Sequence, residues 1–168
     1  MSTMKTTKHL AIVLATILFS CSKDNDPTPT VEDITGSWAA TAIDYTGTTT
    51  VAGSPFKTDF TGKGKDMDLT VTLNKNPATF SSSGDYTIAL TSVVLGQSTT
   101  QDYPFQGFLA NGTWTLDGNT LTVTSAQGVQ HATIVEQTAT TLKINWDYVL
   151  AQGPASMDIH GTYAFKKK

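Results

Sequence analysis

The sequence predicts an all-β domain, a single antiparallel up-and-down barrel of about eight strands, behind a signal peptide and a disordered tether. Three observations carry this. Threonine is the commonest residue while Glu and Ala are sparse or scattered, which is a strand composition. Apolar and polar residues alternate over segment after segment, as a sheet buried on one face requires. Gly, Asn and Asp recur at short intervals, so the connections are turns too short for a crossover helix, and consecutive strands are antiparallel neighbours.

In chain order, the opening strand runs from Ser37 to Tyr45 and places Trp38, Ala40, Ala42 and Asp44 on one parity. Weaker strands are expected near Thr48 to Phe60 and Gln101 to Leu109, with Gly62-Lys63-Gly64-Lys65 between strands as a flexible loop tip rather than a phosphate loop. Leu69, Val71 and Leu73 alternate with Asp68, Thr70 and Thr72; Tyr86, Ile88 and Leu90 alternate with Asp85, Thr87 and Ala89. Trp114 and Leu116 lead through Asp117-Gly118-Asn119 into Leu121 and Val123, a hairpin. From Val129 to Gln137, Ala132 and Ile134 compete with Val129 and Val135 for the inner face. Leu142, Ile144, Trp146, Tyr148 and Leu150 then turn through Gln152-Gly153-Pro154 into Met157, Ile159, Gly161, Tyr163 and Phe165. Eight such strands close on themselves and lose their edges, leaving an interior for packed side chains or one small ligand. A Greek-key sandwich is the rival architecture, and the tight hairpins of the second half favour the meander.

The chain divides into a signal peptide (1–20), a linker (21–33) and a domain (34–168). Lys5 and Lys8 precede an apolar run, Leu10 to Leu18, too short to stay in a bilayer as an anchor and typical of a secretory signal. Leu18-Phe19-Ser20-Cys21 resembles the lipobox of bacterial lipoproteins, which implies an acylated Cys21, carrying chains such as palmitate, as the first mature residue. Two or more acyl chains hold a protein on a membrane stably. Cys21 is also the one cysteine, so it has no internal disulfide partner. Ser22-Lys23-Asp24-Asn25-Asp26 and the prolines after it read as an extended, mobile tether. That acidic start resembles the export signal of Bacteroidota surface lipoproteins, and Ser22 fits release to the outer membrane. The resemblance thus implies a cell-envelope protein, lipid-anchored in the outer membrane, and surface-exposed if the acidic start is the export signal rather than a solvated linker.

Loss of Lys5 and Lys8 leaves nine basic against 14 acidic residues, a net charge of −5. All basic residues are lysine, with no arginine, so nucleic acid is an unsuitable partner. Catalytic chemistry is not expected. His131 and His160 lack metal-ligand spacing; His160 falls on the outward parity, and His131, which the strand's uncertain register can turn to the lumen, reads as a structural histidine. No nucleophile elbow occurs, and no metal or cofactor is implied.

Ile34-Thr35-Gly36-Ser37-Trp38, the hairpin from Gly112 to Leu121 and the segment Ile134 to Leu142 are similar to stretches of the lipocalin-like lipoproteins of Bacteroidota. The resemblance covers most of residues 34 to 165. It implies that Trp38 plugs one barrel end beneath a basic side chain from near the last strand, where Lys166 stands. The candidate lumen residues are Tyr86, Trp146, Tyr148 and Tyr163 on their apolar parity, with Asp44 as the carboxylate on the inward parity. Small Ala40 and Ala42 beside large rings leave room for a small hydrophobic or amphipathic molecule. Tyr103 to Phe108, Phe56 and Phe60 either rim or plug the mouth. The rival reading is a solid-cored surface protein that contacts a protein or glycan through its loops.

Overall fold

The computed structural model describes residues 28–168; the signal peptide, Cys21 and the acidic start of the tether lie outside them. A helical turn, α1 (Val31–Ile34), precedes eleven strands: β1 (Gly36–Val51), β2 (Lys57–Lys65), β3 (Thr70–Asn74), β4 (Thr79–Ser83), β5 (Asp85–Val94), β6 (Gln97–Gln106), β7 (Gly112–Asp117), β8 (Thr120–Ser125), β9 (Gly128–Gln137), β10 (Thr141–Gln152) and β11 (Ala155–Lys167). All pairings are antiparallel, and β11 returns to pair with β1 from Trp38↔Lys167 to Val51↔Ala155. The sheet is therefore closed.

Eleven strands make eight staves. β3 and β2 lie end to end along β1, pairing with its first and second halves. β4 and β5 continue one another in the same way, as do β6 and β7, so each pair is one long strand broken midway. Gly84 makes one of these breaks: at φ +84 its missing Cβ would stand 1.9 Å from the Asp68 carbonyl oxygen, a place only glycine takes. The result is the expected up-and-down meander, closed without a sandwich layer.

The closure is complete only at the end where β1 begins, here called the lower end. There the wall comprises β1, β3, β4, β7, β8, β9, β10 and β11. The β8–β9 hairpin turns back at Ser125↔Gly128, level with Gly112 of β7, and β9 pairs with β10 only as far as Asn145. Above that level the wall is six strands in the order β6-β5-β2-β1-β11-β10, with β6 and the upper half of β10 unpaired to each other.

Several expectations change. A β-bulge between Ala40 and Ala42 inserts one residue and flips the parity of everything after it. Ile43 and Tyr45 are buried, while Asp44 points outward, 49 % exposed, and pairs with Lys63. Asp44 is therefore not a lumen residue, and Ala42 is not the inward partner of Trp38. Gly62 to Lys65 is no loop tip but the end of β2. Its glycines face inward because a Cβ on Gly62 would meet Ile88 Cγ2 at 2.9 Å, and one on Gly64 would meet Ile43 Cβ at the same distance. The last residues of the expected tether, Val31–Asp33, form α1 with Ile34; Asp33 accepts hydrogen bonds from the Thr30 backbone and hydroxyl, which hold its carboxyl below the ordinary range. In β9 the inner face goes to Ala132 and Ile134, and His131 is exposed, hydrogen bonded to the Thr122 hydroxyl at 2.9 Å. His160 lies outside, beside Asp147.

The lower end is packed. Trp38 is fully buried, and its indole N–H donates to the Ile34 carbonyl at 2.9 Å. The ammonium of Lys167, not of Lys166, sits 5.1 Å from the ring centroid; Lys167 pairs with Trp38 across the β1–β11 ladder, so register selects it. Around Trp38 pack Ile34, Leu69, Val71, Leu73, Phe80, Trp114, Leu142 and Phe165. Each such burial is worth roughly 1.5–3 kcal/mol against exposure.

Candidate ligand cleft

Above this core the inward residues of the six-stranded wall do not fill the space they enclose. A cleft of about 410 Å³ remains, lined by Tyr45 of β1, Tyr86, Ile88 and Leu90 of β5, Tyr103, Pro104 and Phe105 of β6, Phe108, and Trp146, Tyr148, Leu150, Met157 and Ile159 of β10 and β11. The space is a consequence of residue choice. β2 runs past Tyr45 with Gly62 in place of a side chain, and no β8 or β9 residue lines the cleft, Gln130 of β9 only accepting from the Trp146 indole at its edge. Beneath Phe108 the void among Val71, Leu73, Phe80, Leu121 and Leu142 is only about 20 Å³, room for about one water.

Phe108 divides the two regions. Its ring packs 5.1 Å from Trp146 and 4.5 Å from Tyr163, centroid to centroid, and it lines both the cleft and the small void beneath. Ser82 of β4 holds it there: its hydroxyl accepts from the Phe108 amide at 3.1 Å and donates to the Leu109 carbonyl at 2.8 Å. Gly107, at φ +68, lets the chain turn inward after β6. The aromatic segment expected either to rim or to plug the mouth does both, with Tyr103 and Phe105 on the rim and Phe108 as the plug. Phe60 is buried in β2, and Phe56 stands 79 % exposed in the turn between β1 and β2.

Four of the five expected lumen residues converge here. Trp146 and Tyr148 stack at 4.3 Å on one flank, and Tyr86 stacks with Phe105 at 5.2 Å on the other. Tyr163 lies fully buried beneath, its hydroxyl bonded to that of Tyr45 at 2.5 Å. The Tyr86 and Tyr148 hydroxyls are near enough to influence this pair electrostatically. Burial pushes all four phenols above their ordinary range, because the apolar surroundings disfavour the phenolate. They are neutral donors and acceptors at physiological pH. Tyr45 replaces Asp44 in this set, and the alternation of β1 hid it because a bulge carries no sequence signal of its own.

The lining holds no Asp, Glu, Lys or His, and among the described residues no three His, Cys, Asp or Glu side chains gather as a metal site. A concave, mostly apolar space with a few convergent hydroxyls is suited to holding and orienting a small molecule.

A family model described as a lipocalin-like domain matches residues 34–144. That span contains Trp38, β1 to β9 and the first residues of β10; the cleft's Trp146–Ile159 flank follows it. No curated protein matches the sequence. Among solved structures, the S-type phycobiliprotein lyase CPES from Guillardia theta aligns over 82 % of this chain and 90 % of that one, at 8 % identity and a TM-score of 0.31, a likeness too weak to bear on function.

Proposed function

This chain belongs to the lipocalin-like domain family, and from that premise we propose that it binds one small, largely hydrophobic molecule in the upper cleft. The observation that carries the reading is the contrast between about 410 Å³ of aromatic-lined space above Phe108 and about 20 Å³ below it. Apolar surface removed from water on both partners supplies the affinity, and the stacked rings lose little freedom on binding because packing already holds them. The reading assigns no catalytic residue and no cofactor.

The test is titration of the mature chain with Nile red, a neutral dye that fluoresces in apolar surroundings. Saturable one-to-one binding, lost in Leu90→Trp, supports the proposal; absence of binding by a folded chain ends it.

The proposal places the protein in the cell envelope, tethered to the outer membrane through acylated Cys21, because the residues around Cys21 resemble a lipobox. Labelled palmitate should appear on the wild-type chain and not on Cys21→Ser. A second reading, contact with a protein or glycan partner through the loops, is favoured by one observation: Leu95, at the β5–β6 turn of the open end, is 99 % exposed.

A further inference from the structure

Resting on that binding reading, we infer that the ligand enters polar end first and that this end is an uncharged hydrogen-bonding group, an alcohol, ketone or amide, rather than a carboxylate or an amine. Tyr103, Phe105 and Leu150 are the exposed members of the lining and stand at its opening, while Ile88 and Ile159 are buried behind them. The buried hydroxyls of Tyr45 and Tyr163 sit at the base, where Phe108 packs against Tyr163. Tyr86 and Tyr148 bring their hydroxyls to the same pair and line the cleft with Tyr45, Tyr163 lying behind them; four phenols joined in a chain still keep an O–H to give and lone pairs to receive.

A ligand head at this base therefore finds both a donor and an acceptor. A charged head finds no counter-ion. Of the cationic side chains of β2, Lys57, Lys63 and Lys65 are all exposed and none lines the cleft; Lys63 and Lys65 pair with Asp44 and Asp102 on the outer face. Placing an ionised group at the base without a partner costs several kcal/mol, whereas a neutral group there exchanges its water for the phenols at little net cost. Head-first entry of a neutral group is the arrangement in which the polar floor and the apolar walls are both used.

Decanol, decanoate and decylamine share one chain and differ at the head, so they decide the matter. Each is titrated at pH 7.5 against Nile red bound to the mature chain. Decanol should displace the dye with an affinity roughly tenfold or more above the other two. At about pH 4, where the acid regains its proton, decanoate should approach decanol while decylamine does not. Tyr45→Phe should weaken decanol several-fold and leave the other two unchanged, with circular dichroism checking its fold; the ligand series stands without this variant. Equal affinities for the three heads at pH 7.5 would mean that tails enter and heads stay in water. That outcome overturns this inference and leaves the binding reading intact. Dye that binds but is not displaced by decanol overturns it too, whereas failure of the dye itself to bind removes the reading beneath.

Discussion

The lower and upper halves of this barrel use the same strands and the same alternation, yet one is solid and the other hollow. Below Phe108, eight staves converge on Trp38, Trp114 and Phe165, and the void left among their inward side chains is about 20 Å³. Above it, six staves curve around Tyr45, Tyr86 and Tyr148 and leave about 410 Å³. Hydrophobicity does not separate the halves, since both are lined by large apolar rings. What separates them is how many strands reach each height, and where glycine stands in place of a side chain. On the proposed reading, the barrel divides its work along its axis, with packing concentrated where the wall is complete and binding where it is not.

Four changes break or sharpen this division, taken from the largest effect on stability. Trp38→Ala removes the centre of the solid half and should cost about 3–5 kcal/mol in urea denaturation, while the molecules that remain folded bind Nile red as before. A cost below about 1 kcal/mol would show that the lower half is not where stability resides. Phe108→Ala removes the partition; with its ring only half-buried, the expected cost is about 1–3 kcal/mol, and the joined cavity should admit longer chains, read as a higher affinity for hexadecanol than the wild type shows. Unchanged chain-length preference would mean that Phe108 does not set the depth of the cleft.

The phenol cluster gives the upper half a pH signature. Its folded-state pKa values are raised, so between the ordinary value near 10 and the raised one the unfolded chain loses protons that the folded chain keeps. Stability from these groups is complete below about pH 10 and lost as pH rises above it, by up to about 1.4 kcal/mol per pH unit for each phenol that stays protonated. Thermal melts from pH 8 to 11 should show the decline, and Tyr45→Phe should flatten it. A melting temperature independent of pH over that range would contradict the burial of the cluster. Smallest in stability is Leu90→Trp, which fills the cleft from β5: folding should change by less than about 1 kcal/mol, and dye affinity should fall at least tenfold. Retained dye binding in that variant would move the site elsewhere.

Much of this was legible in the residues. Alternation placed Tyr86, Trp146, Tyr148 and Tyr163 inward, and short turn-rich connections implied a closed meander. Asp44 and Tyr45 exchanged places because one inserted residue at the Ala40/Ala42 bulge reverses the inward set, and a bulge is a property of the paired strand, not of the strand alone. Gly62 and Gly64 looked like loop residues for the same reason: glycine marks both a flexible tip and a site of close approach, and only the neighbouring Ile88 and Ile43 side chains distinguish them. Lys167 rather than Lys166 covers Trp38 because the ladder between β1 and β11 aligns them.

By itself the sequence determined that this chain forms strands, which residues each strand turns inward away from the bulge, and that the strands follow one another around a single enclosed space, because period-two burial and tight turns are local properties. Tertiary structure alone decided that the enclosure is complete at one end and open at the other, that Ser82 draws Phe108 across the middle, and that four phenols share one floor. Those outcomes depend on where strands from distant parts of the chain stop relative to one another, and no local pattern encodes a relative height.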